Sequence, residues 1–195
     1  MAEMQSPLGT AFVRGEHGNT AEGIGVDLRE RSDIVIIQVT AWSDTIPTVL
    51  TAIGSATGVV VQNKRGNGRV AGEKSVFDFA PGRFLVVGNT PDLESRLRSA
   101  ISPELGTIIA LTHGRTAIRI SGPRCEWVLS KLFAIDFSPH AFKVGSGCAT
   151  LHHDIHTTIQ RIDETSFDLY VFRSFARSFW QTLEHAAEEI GYRVE

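Results

Sequence analysis

The chain has 195 residues, of which 42% are hydrophobic and 21% charged, with a formal net charge of −3. That composition can bury an ordinary core, so it excludes a disordered chain. It also carries no basic footprint for nucleic acid. No window approaches the roughly 18 consecutive apolar residues of a membrane helix, and the start MAEMQSPLGTAF lacks the basic and apolar regions of a secretory signal.

Residues 1–22 show no sustained hydrophobic period and read as an arm, flexible in isolation, that could dock on a partner. Ordered structure is expected over 23–195, starting with a strand at Gly25–Glu30. Asp33–Thr40 is a β-branched run suited to a strand buried on both faces. Asp44 or Thr45 can cap a helix whose apolar set is Ile46, Val49, Leu50 and Ile53, with Gly54 as its stop. Gly58–Val61 reads as a strand and NKRGNGRVAGEK as a loop. Val76–Phe79 and Phe84–Val87 form a hairpin across APGR. Thr90-Pro91 opens a helix with the stripe Leu93, Leu97 and Ile101.

Gly106–Thr112 and Arg115–Ser121 are expected as two strands joined at His-Gly. A helix follows with Cys125, Val128, Leu129 and Leu132 inward. Cys148–Ile162 reads as one long strand paired with Phe167–Phe172. The last helix, Ser174–Ile190, turns Phe175, Phe179, Leu183, Ala186 and Ile190 to one face, and Gly191 ends it.

The order strand, helix, hairpin, helix thus occurs twice, at an offset of roughly 82 residues. The fold class is α+β: one domain of two pseudo-repeated β-α-β-β-α units, about 25–105 and 106–195.

Candidate chemistry is sparse. Gly66, Gly68 and Gly72 could cradle phosphate, but the residues after them read as strand and leave no helix N-terminus. His152, His153, Asp154 and His156 form the densest titratable cluster. On a strand His152, Asp154 and His156 share a face, yet residues i and i+4 lie about 13 Å apart, too far for one zinc ion. Cys148 follows Gly-Ser-Gly without a visible base, and Cys125 falls on a helix; both read as reduced thiols. Glu184, Glu188 and Glu189 read as a solvated helix face. Phe167, Tyr170, Phe172, Phe175, Phe179 and Trp180 crowd the last hairpin and helix. Trp180, one position off the inner stripe, is a candidate for either the core or a subunit contact. No catalytic, cofactor-binding or metal-binding residue is assigned.

The ordered set GRTAIRISGP, WVLSK, IQRID and SFDLYVFRSFARSFWQTLEHAAEEIG resembles the C-terminal half of the gamma subunit of heterotetrameric sarcosine oxidase. GVDLRERSDIVIIQV and FDFAPGRFLVVG resemble that family's first half. The resemblance implies the folate-binding fold of the glycine-cleavage T-protein, without its C-terminal β-domain. It further implies a cytoplasmic, non-catalytic subunit working with alpha, beta and delta chains. In such complexes sarcosine is demethylated oxidatively to glycine with release of H₂O₂. The one-carbon unit leaves as formaldehyde or on tetrahydrofolate. FAD, FMN, NAD and tetrahydrofolate are then expected in the partner chains and no cofactor in this one. A free-standing folate-binding, aminomethyltransferase-like protein is the alternative reading.

Overall fold

The computed structural model of the chain describes residues 6–64 and 66–195. Along them run β1 (Gly15–His17), β2 (Val26–Arg31), β3 (Val35–Ala41), α1 (Ile46–Thr57), β4 (Gly68–Ala71), β5 (Lys74–Ala80), β6 (Arg83–Gly88), α2 (Leu93–Ala100) and β7 (Gly106–Ala110). They continue as β8 (Arg115–Ser121), α3 (Cys125–Leu132), β9 (Gly147–His152), β10 (Ile155–Asp163), β11 (Ser166–Phe172), α4 (Ala176–Ala187) and β12 (Tyr192–Val194).

The chain divides into two units. The first comprises residues 33–113 and 144–149 and holds a five-stranded sheet in the order β4-β5-β6-β3-β7. Its strands are β-branched and aromatic, so Ile37, Val39, Val76, Phe84 and Val86 bury fully. They pack with Val49, Leu50 and Ile53 of α1 and with Leu93 and Leu97 of α2. Burying each such side chain stabilises by about 1.5–3 kcal/mol. The hairpin expected across APGR is present: Ala80 pairs with Arg83, and Gly82 takes φ +67°.

The second unit comprises residues 6–32, 114–143 and 150–195; the seven-stranded sheet runs β1-β12-β2-β8-β11-β10-β9, of which only residues 147–149 of β9 fall in the first unit. In both sheets the segments between the two helices of a repeat and the strand that opens it keep one order. It is β4-β5-β6-β3 in the first repeat and β9-β10-β11-β8 in the second. The two repeats therefore share strand order, each as β-α-β-β-β-α, with three strands between the helices where two were expected. On one side of the second sheet Phe133, Phe137, Phe142, Phe167 and Phe179 form a chain of ring contacts with centroids 5.5–6.5 Å apart.

Several expected elements differ. The strands read as joined at His-Gly belong to different sheets: β7 pairs with β3 (Ile37 opposite Ala110), and β8 pairs with β2 (Ala117 opposite Arg31). The strand just before each opening strand, β2 before β3 and β7 before β8, thus lies in the sheet of the other repeat. The contact boundaries fall at 33, 114, 144 and 150 instead of at 105. A strand bonds to whichever open edge reaches it, and sequence proximity does not choose that edge.

Gly58–Val61 is not a strand. α1 runs past Gly54 to Thr57, and Gly58 ends it at φ +78° with its N–H donating to the Gly54 carbonyl. The strand lies instead inside the expected loop, as β4. The expected arm carries β1, which pairs with β12, and Leu8 in it is fully buried. Residues 1–5 of that arm and Arg65 of the expected loop lie outside the described residues. The last helix is shorter than read, with single 3-10 turns at Arg173–Phe175 and Glu188–Ile190 flanking α4.

Candidate functional site

The densest titratable cluster sits at a turn. Cys148–Ile162 is not one strand: it folds back at His153-Asp154, giving neighbouring strands β9 and β10. His153 adopts φ +48°, the left-handed conformation that histidine tolerates better than a β-branched residue. No Gly or Asn marks this turn, which is why the alternating pattern read straight through it. As a result His152 and His156 lie on different strands. His152 Nδ1 is 2.9 Å from the Leu132 carbonyl, and its ring meets Phe133 edge-on at 6.0 Å. His153 stacks edge-on against His152 at 4.4 Å. Among the described residues no three His, Cys, Asp or Glu side chains converge as metal ligands.

These two histidines border a cleft of about 810 Å³ in the second unit, between α3 and α4. Lys131 and Leu132 line one wall, and Ser178, Gln181, Thr182, His185 and Glu189 the other. The charges here are engaged with one another. Lys131 Nζ donates to the Ala186 carbonyl at 2.8 Å and to the Glu189 carboxylate, and lies 3.7 Å above the Trp127 ring. His185 Nδ1 is 3.2 Å from Glu188. Glu188 and Glu189 are exposed, as read, and also serve as ion-pair partners. The cleft offers hydrogen-bonding groups spread along a helix, without a nucleophile held against a base.

Neither thiol is suited to attack. Burial pushes the Cys125 thiol up to about 11, with the neighbouring Glu126 charge adding to the effect. Burial alone pushes Cys148 up to about 11. Both stay protonated near neutral pH, and a thiol is a poor nucleophile. Both cysteines are free.

Of the loop glycines, Gly68 serves packing, while Gly66 and Gly72 take positive φ, +71° and +60°. A Cβ at Gly68 would run into the Gly145 carbonyl and Phe77, and one at Gly147 into the Phe77 ring. Gly68 thus lies against backbone and the Phe77 side chain, and β4 and β5 follow instead of a helix. A dinucleotide's pyrophosphate wants free amides at a helix N-terminus. These residues do not fit a flavin or NAD.

The most charged feature is one that strand periodicity concealed. Asp168, 1% exposed, accepts two hydrogen bonds from Arg119, Nε at 2.7 Å and Nη2 at 2.8 Å, and one from Arg31 Nη1 at 3.3 Å. Arg161, also 1% exposed, donates to the Phe142 carbonyl at 3.1 Å, pairs with Glu126 and lies 4.8 Å above the Phe167 ring. The signal was available in RTAIRIS, IQRID and SFDLYVF, where charge interrupts apolar strands. Trp180, the candidate subunit contact, is fully buried beneath Phe12 at 5.5 Å. Phe175 leaves the expected helix stripe and is exposed.

The family described as "Sarcosine oxidase, gamma subunit family" matches residues 44–189. The sarcosine oxidase subunit gamma of Corynebacterium sp. (strain U-96) is 30% identical over 128 residues, 64% of this chain and 62% of that one. The subunit gamma of Corynebacterium sp. (strain P-1) is 27% identical over 169 residues, covering 86% and 80%. The alignments with the U-96 protein and with an Arthrobacter subunit gamma span about three-fifths of those relatives, 62% and 58%. Among solved structures, a chain of the heterotetrameric sarcosine oxidase from Corynebacterium sp. U-96 superposes with a TM-score of 0.80 over 96% of both chains, at 24% identity. The glycine cleavage aminomethyltransferase T from Bartonella henselae gives 0.63 over 88% of this chain and 47% of that one, at 18% identity. These two likenesses establish the folate-binding T-protein fold.

Proposed function

The chain belongs to the sarcosine oxidase gamma subunit family, and we propose that it acts as the non-catalytic gamma subunit of a heterotetrameric, cytoplasmic sarcosine oxidase. The observation that carries this reading is the family match across 44–189 together with a fold likeness spanning 96% of both chains. In the assembled enzyme sarcosine, O₂ and water give glycine, formaldehyde and H₂O₂, or the one-carbon unit passes to tetrahydrofolate. The flavins take the electrons. They, NAD and tetrahydrofolate belong to the alpha, beta and delta chains on this reading, consistent with a glycine loop here that runs into strands and opens no helix. The contribution of this chain is then to stabilise the assembly by burying surface on its partners.

The test is co-expression with the three other subunits, followed by absorbance and oxygen uptake. The isolated chain is expected to be colourless and inert toward sarcosine, and the complex lacking it to assemble in lower yield. A yellow isolated chain that consumes oxygen with sarcosine would refute the proposal. The second reading, a free-standing folate-binding protein, draws on the likeness to aminomethyltransferase T. It requires the isolated chain to bind tetrahydrofolate, which equilibrium dialysis reads directly.

A further inference from the structure

Strand β8 opens with an arginine that no carboxylate among the described residues pairs with. Arg115 is half-buried, and its guanidinium carbon lies 3.6 Å from the centroid of the Phe172 ring. The strand register sets Arg115 directly opposite Phe172. Phe172 ends β11 after six buried residues and is itself 39% exposed. On the next strand, β10, the exposed His156 meets the other side of that ring edge-on at 6.3 Å. Three adjacent strands therefore present one row of cation, aromatic ring and imidazole. Phe175, 41% exposed, extends the apolar surface in the following turn.

The other arginines of this sheet that are removed from water or ion-paired provide the contrast, the exposed Arg29 being left to solvent. Arg31 and Arg119 share Asp168, Arg161 has Glu126, and Arg193 has Glu16 and Asp27. Among the described residues no carboxylate pairs with Arg115, and burial alone lowers its pKa. A half-desolvated guanidinium stacked on a ring keeps its in-plane N–H donors open, the geometry that receives a carboxylate through two parallel hydrogen bonds. Arg and aromatic side chains together are also the composition of interface anchors.

We propose that the row Arg115, Phe172 and His156 is a docking seat for an acidic side chain presented by a partner subunit, with Phe172 as its apolar anchor. The inference rests on the subunit reading above. An apolar occupant would complete the desolvation of the guanidinium without pairing it. A second copy of this chain docked through a two-fold axis would bring the same cations face to face. A carboxylate-bearing partner satisfies both groups.

The experiment measures binding of the full-length chain to the complex of the other three subunits. Arg115→Glu is expected to weaken binding by roughly tenfold or more, with the opposed charges of seat and partner turned to repulsion. His156→Glu should weaken it less, and Arg96→Glu on the exposed face of α2 not at all. Wild-type binding should fall as salt rises, as a charge-assisted contact requires. Each variant is melted alone. Should Arg115→Glu unfold the chain, His156→Glu decides, since that side chain is exposed and its loss of binding would still support the seat. Variants that fold and bind like wild type would overturn the docking seat and leave the subunit reading intact. A wild-type chain that never associates with the three partners would overturn both.

Discussion

In the first repeat the central strands β3 and β6 bury Val39, Phe84 and Val86 against α1 and α2. In the second, the corresponding strands β8 and β11 bury Ile118 and Phe167 but also set Arg119 on the fully enclosed Asp168. Strand order is shared, while the chemistry of the buried faces is not. A duplicated fold therefore needs only its pattern of strands and helices to persist. The interior can be apolar, or ionic where each charge meets its partner. Buried pairs add little net stability over apolar residues, but they tolerate no separation. They also hold register, because a slip of one residue would carry Asp168 to the opposite face of the sheet.

The largest effect that would test this contrast is expected from Asp168→Ala, which strands two arginines at once. A loss of about 3–5 kcal/mol is expected, read as a shift of the denaturant midpoint at constant slope. Moderate salt should leave that loss unchanged, since the site excludes ions. A variant within experimental error of wild type would show the ionic core to be dispensable. Ile37→Ala in the apolar repeat comes next, at about 3 kcal/mol for the lost transfer energy and the residual cavity. A much smaller loss would mean that the first core repacks where the second cannot.

The thiols compare the two units at high pH, with Cys125 in the second and Cys148 in the first. Both are raised from 9.0 to about 11, so the native state holds its protons more tightly than the unfolded chain. Stability from this source is fully present below pH 9 and declines as pH rises through 11. Denaturation of wild type, Cys125→Ala and Cys148→Ala between pH 8 and 11 should show a shallower decline in each variant. At pH 8 both thiols should alkylate more slowly than free cysteine. Rapid alkylation of either would contradict the burial described for it. The smallest effect belongs to the exposed pair of α2, where Arg98 Nη2 lies 2.8 Å from Glu94. Glu94→Gln should cost no more than about 0.5 kcal/mol and should be masked by salt.

Much of this architecture was legible in the chain. The APGR hairpin followed from Pro and Gly at turn positions, and the inner faces of the helices from apolar spacing at Val49, Ile53, Leu93, Leu97, Val128 and Leu129. Those signals are local, each set within a few residues. The turn at His153-Asp154 had no such signal, so an alternating strand reading ran across it. Gly54 was read as the helix stop and Gly58 as the start of a strand, and the left-handed backbone at Gly58 shows where the helix ends. The pairing of Arg119, Arg161 and Asp168 has no local signal, because alternation says which residues share a face but not whether that face is covered.

By itself the sequence determined the α+β class, the repeated order of strands and helices, and the family to which that order belongs. These follow from side-chain periodicity and turn chemistry, which act over short stretches of chain. The tertiary structure decided which edge each leading strand would join, sending β2 to β8 and β7 to β3. It decided which charges would meet in the interior, and that Arg115 would stack on an exposed ring with no carboxylate partner among the described residues. Those outcomes depend on backbone hydrogen bonds and ion pairs between residues far apart in sequence, such as Arg31 and Asp168. Such partners become identifiable only once the folded chain has brought them together.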